Sequence, residues 1–66
     1  MNEEMNKFKV YRKAIEVFEK SNNARRWFSS EIPALSGYKP FDLINYQEGQ
    51  YQIYNILYKL ETGDFS

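Results

Sequence analysis

Apolar residues recur at helical spacing in two long stretches of this chain, and a Pro-, Gly- and Asn-punctuated middle separates them. From Glu3 to Lys20, the residues Phe8, Tyr11, Ala14, Ile15 and Phe18 follow the three-four spacing of one buried helix face. Glu3 and Glu4 in the first turn and Lys20 in the last suit the helix dipole. Val10 and Val17 fall on the opposite side and are expected to be isolated, exposed valines. Ser21-Asn22-Asn23 breaks the pattern and offers caps for a short second helix, about 23–29, in which Trp27 is the expected core anchor. Arg25 and Arg26 of that helix are expected in solvent.

Residues 30–39 read as an irregular connection, with Ile32, Ala34 and Leu35 as apolar pegs against the core. Pro40 suits the first position of a brief helix over 40–44, with Leu43 and Ile44 inward. The final helix has Asn45 as its expected N-cap, with Glu48 three residues on completing a capping box, and Gly63 just past its end. Gly49 is unfavourable inside a helix by about 1 kcal/mol relative to Ala, and a close approach of another backbone would explain it. The pattern predicts an all-α fold, a small compact domain of about four helices, two long and two short.

The final helix carries two stripes. Ile53, Ile56, Leu57 and Leu60 form an aliphatic line, expected to dock onto Phe8, Phe18 and Trp27. Tyr51, Tyr54 and Tyr58, with Glu61 on nearly the same side, form a second line at least a third of a turn away. Tyrosine suits an interface because its ring buries area while its hydroxyl tolerates water. The same rings could instead complete an aromatic core on the first helix.

Length sharpens this choice. A domain of 66 residues has a marginal core, and without cysteine it has neither disulfides nor a thiolate metal site to reinforce it. Association with another protein is the remaining common source of stability. The chain also lacks histidine, a phosphate-cradling Gly-rich loop and a nucleophile elbow, which makes an enzyme the weakest function class. No cofactor or metal is expected. The carboxylate pairs Glu16 with Glu19 and Glu61 with Asp64 are ordinary surface spacings. No apolar run reaches membrane-span length, and the polar start lacks the pattern of a signal peptide, so a soluble cytoplasmic protein is expected.

Net charge is zero but uneven. Residues 1–26 hold seven basic and four acidic groups, +3, and residues 27–66 hold two and five, −3. Arg12, Lys13, Lys20, Arg25 and Arg26 give the alternative function: a small nucleic-acid-binding or regulatory adaptor domain using the basic N-terminal half. Overall neutrality argues against it, since phosphate affinity rests on accumulated Lys and Arg.

The order of these elements has a family resemblance. Ala24-Arg25-Arg26-Trp27 is followed by Pro33-Ala34-Leu35-Ser36-Gly37 and Pro40-Phe41-Asp42-Leu43-Ile44. After these come Glu48-Gly49, then Ile53, Leu57 and Leu60 on a helix, then Gly63-Asp64-Phe65. From about Tyr11 to Ser66 this pattern resembles the toxin-binding domain of Xre/MbcA/ParS-type antitoxins. Phe28 and Ser36 depart from it, standing where a smaller aliphatic residue and a glycine are usual.

The resemblance implies neutralisation of a RES-type toxin, which consumes NAD, by a homodimeric antitoxin whose C-terminal end lies near the toxin's active-site entrance. Such occlusion needs no catalytic residue in the inhibitor. The toxin-binding or dimer interface expected on this basis comprises Tyr51, Tyr54, Tyr58, Glu61, Gly63, Asp64, Phe65 and Ser66, with Tyr38 and Lys39 as weaker rim candidates. Many such antitoxins carry an N-terminal helix-turn-helix domain, for which this chain has no room. Residues 1–66 are therefore expected to be a single toxin-binding domain without direct DNA binding, either stand-alone or excised from a longer protein.

Overall fold

The architecture is that of a computed structural model, which describes residues 4–63. Helix α1 (Lys7–Phe18) begins at Asn6, whose side chain accepts the Lys9 N–H at 2.9 Å. It begins later than the sequence predicts, so Glu4 precedes the helix, and Lys20 lies beyond its end. Glu19 stops the helix in the left-handed conformation, φ 62°, with its N–H donated to Ile15 O. Helix α2 (Ser21–Phe28) follows at once, so Ser21, Asn22 and Asn23 form its first turn and do not interrupt the chain. Ser29 and Ser30 end α2, their hydroxyls donating back to the Arg25 and Arg26 carbonyls.

The connection then folds on itself. A 3-10 turn (Pro33–Leu35) points Leu35 into the core, while Ile32 is half-buried and Ala34 is exposed. Ile32 N–H donates to the Tyr38 carbonyl, Tyr38 N–H donates to the Leu35 carbonyl, and the Ile32 carbonyl accepts from Leu35 and Gly37. Helix α3 (Pro40–Leu43) has its proline at the first position, where the missing N–H is no loss. Helix α4 (Gln47–Thr62) ends at Gly63, φ 76°, whose N–H reaches Lys59 O.

The start of α4 corrects the expected capping box. Its N-cap is Tyr46, not Asn45, and no side chain caps it. The turn from α3 explains the shift: Tyr46 N–H donates to Leu43 O, and Gln50 Nε2 donates to the Ile44 carbonyl at 2.8 Å from a buried position. Gln50 thus satisfies a carbonyl that would be orphaned where α3 ends. Gly49 meets the backbone approach that its sequence position implied: a Cβ there would collide with the Leu43 carbonyl.

The core consists of Val10, Ala14, Ala24, Phe28, Leu35, Ile44, Ile53 and Leu57. Ile56 and Leu60 pack beside it, so the aliphatic line of α4 faces inward as expected. Helix α1 lies across α4 on a face rotated from the one predicted: Ala14 is buried and Tyr11 and Phe18 pack against the core as expected, but Val10 takes the place of Phe8 and Ile15. Val10 and Ala14 are fully buried and Val17 is half-buried, whereas Phe8 and Ile15 are 69% and 50% exposed. Small side chains at the contact let two helix axes approach closely, which a phenylalanine would prevent. Phe28, not Trp27, is the fully buried aromatic. It contacts Tyr11 at 5.0 Å and stacks on Phe41 at 5.3 Å, while half-buried Trp27 meets it edge-on.

Candidate protein-binding surface

The two stripes of α4 separate as their angular positions require. Ile53 and Leu57 are buried, and Tyr51 and Tyr58 are 50% and 53% exposed. Tyr54, between the stripes, is half-buried and packs against the core edge, so the tyrosine line is not uniform. Asn55 and Thr62 are exposed on the same outer side as Tyr51 and Tyr58. That face combines aromatic surface with hydroxyl and amide groups and carries little charge, a composition suited to protein contact.

One cation anchors the edge of this face. Lys13 reaches from α1 to Glu61 near the end of α4, Nζ to Oε1 2.6 Å. Its Nζ also lies over the Tyr54 and Tyr58 rings, 5.9 and 5.6 Å from their centroids, within cation–π range. The Lys13 side chain is only 12% exposed and that of Glu61 37%. The hydrogen bond to Glu61 raises the Lys13 pKa above the ordinary lysine value; partial burial opposes this, and the Glu61 charge reinforces it. The pair ties α1 to α4 and fixes the tyrosine side chains flanking it. Beside it, Lys9, Arg12, Lys13, Glu16 and Tyr54 line a shallow polar depression of about 180 Å³.

Lys13 is absent from the interface set read from the sequence. It appeared there only among the basic residues, and no local spacing pairs it with Glu61, which is 48 positions away. Of that basic set, Lys13 is committed to Glu61, and the Arg12 guanidinium lies over the Phe8 ring at 5.6 Å. Tyr38 and Lys39 are exposed on the connection between α2 and α3, and Tyr46 is exposed at the foot of α4. Gly63 is exposed as the C-cap of α4; Asp64, Phe65 and Ser66 lie outside the described residues.

Among the described residues no cluster of His, Cys, Asp or Glu could hold a metal ion, and no buried side-chain polar atom lacks a hydrogen-bond partner. No helix among them is long and apolar enough to cross a membrane.

Comparison with known proteins gives the family. The family model described as the antitoxin Xre/MbcA/ParS C-terminal toxin-binding domain matches residues 13–63. No curated protein and no solved structure matches the chain. The matched span runs from Lys13 to Gly63 and so contains α2, α3, α4, the second half of α1, and both members of the Lys13–Glu61 pair. This chain belongs to the Xre/MbcA/ParS antitoxin family, as a C-terminal toxin-binding domain with a toxin as its partner.

Proposed function

We propose that this domain neutralises a RES-type, NAD-consuming toxin by covering the entrance to its active site with the outer face of α4 and the chain end beyond it. The observation that carries the reading is the exposure of Tyr51 and Tyr58 on a helix whose other side is fully used by the core. Half-exposed tyrosines on a rigid helix present large contact area with little side-chain entropy to lose, which is how interface anchors behave. Glu61 and the Lys13 clasp hold the rim of this surface, Gly63 caps the helix that carries it, and Asp64, Phe65 and Ser66 add to the contact. The inhibitor acts as a homodimer in the cytoplasm, needs no cofactor, and contributes no catalytic group.

Co-expression with the toxin encoded beside it, followed by co-purification, tests the reading. The intact chain is expected to retain the toxin, and Tyr51→Ala with Tyr58→Ala to lose it while the helical content stays intact. Removal of residues 64–66 is expected to preserve the fold and relieve inhibition. Retention of the toxin by the double variant would move the contact away from α4.

A further inference from the structure

Helix α1, like α4, has an apolar side that the core does not use. Phe8 and Ile15 stand outward at 69% and 50% exposure, seven residues apart and so on one line of the helix. Directly beside that line is a groove of about 220 Å³ between α1, α2 and α3. Its walls include Tyr11, Ile15, Ala24, Phe28 and Phe41, and Arg25 lies at its side. Phe41 is itself 37% exposed. A projecting aromatic and an open apolar groove therefore share one face of the same molecule.

We propose that this face is the self-association surface of the domain: two copies meet with their α1 helices antiparallel, and Phe8 of each enters the groove of the other. A two-fold axis makes such a contact self-complementary, because each knob finds the other copy's hole and the assembly closes at two. The area is sufficient. Phe8, Ile15 and Phe41 expose roughly 300 Å² of side chain per copy, taking about 200 Å² for a fully exposed aromatic. Two copies supply roughly 600 Å², which at the usual apolar share corresponds to an interface of about 1,000 Å², the least that a specific contact needs. The inference rests on the homodimer in the proposed function and separates that dimer from the toxin contact: α1 serves the twin, and α4 serves the toxin.

The test is the mass of the full chain by sedimentation equilibrium across a concentration series, for the natural sequence and for Phe8→Ala, Ile15→Glu and Tyr51→Ala with Tyr58→Ala. The natural chain is expected to be dimeric. Phe8→Ala and Ile15→Glu are each expected to weaken dimerisation at least about tenfold, as hot-spot residues do, with helical content unchanged and the toxin still retained. Both positions are exposed, so neither change should unfold the monomer. Because the chain has no cysteine, mixing Phe8→Cys with Ile15→Cys gives a second readout: a mixed disulfide should form in preference to either homodimeric one. A dimer weakened only by the tyrosine changes, or a Phe8→Cys homodisulfide as the main product, would overturn the assignment to α1 while sparing the dimer. A monomer at every concentration would overturn the dimer as well, without touching the toxin contact.

Discussion

Replacing Gly49 with alanine sets two effects against each other, and the structure decides the sign. In an exposed helix interior the change would stabilise by about 1 kcal/mol, because alanine loses less backbone freedom on folding. Here the new Cβ would meet the Leu43 carbonyl oxygen and lie 2.9 Å from the Leu43 carbonyl carbon and Cβ. Carbon pairs prefer about 3.5–4.0 Å, so something must shift. The nearest group is backbone, which has no rotamer through which to escape. Moving it also strains the Tyr46 N–H bond to that carbonyl, 3.1 Å long, which contributes about 1 kcal/mol. Overpacking costs roughly 3 kcal/mol where the neighbour cannot rotate away. Net destabilisation is about 2–3 kcal/mol, a fall in melting temperature of roughly 8–24 °C for a domain of this size. Thermal melts followed by far-UV circular dichroism read it directly. An unchanged or raised melting temperature would refute the claim that α4 is held against the end of α3 by that glycine.

Two further predictions concern the helix ends and the clasp. Glu19→Gly is expected to stabilise the fold by about 0.5–1 kcal/mol, since a left-handed residue then carries no Cβ; urea unfolding checks it, and a loss of stability would contradict the cap geometry. Glu61→Gln is expected to cost about 1 kcal/mol at neutral pH, the upper end for a partly exposed ion pair. The folded Lys13 pKa lies above the ordinary 10.5, so the pair's contribution is complete below 10.5 and is lost as pH rises through the raised value. The gap between natural and Glu61→Gln stability should therefore close on the alkaline side, where urea midpoints at matched pH would show it.

Much of α4 was legible from its sequence. Its aliphatic period, the crowding at Gly49 and the left-handed Gly63 are local features, and the structure uses each as its chemistry implies. The face of α1 was legible only in part: Ala14 is buried and Tyr11 and Phe18 pack against the core, but Val10 takes the place of Phe8 and Ile15. The helix carries two apolar lines of the same period, Val10–Ala14–Val17 and Phe8–Ile15, and periodicity alone cannot say which one meets the core. Larger residues pointed to the second line. In the structure Val10 and Ala14 are the fully buried residues of α1, while fully buried Phe28 supplies the aromatic bulk of the core. Asn45 failed as a cap because Gln50 and the turn from α3 settle the carbonyls at that junction. Lys13–Glu61 is a tertiary pairing of chain ends, which no spacing rule reaches.

Tyr51 and Tyr58, the residues proposed to meet the toxin, lie outside the hydrophobic core. Tyr51 and Tyr58 can therefore be altered with little loss of fold, whereas Tyr54 contributes to both packing and surface. This division makes the proposed mechanism separable from stability. The most direct test is a titration of NAD consumption by the purified toxin with the natural domain and with the chain carrying Tyr51→Ala and Tyr58→Ala. The account predicts stoichiometric inhibition by the first and at least about a hundredfold weaker inhibition by the second, as two interface anchors imply, at equal helical content. Equal inhibition by the two proteins would contradict it.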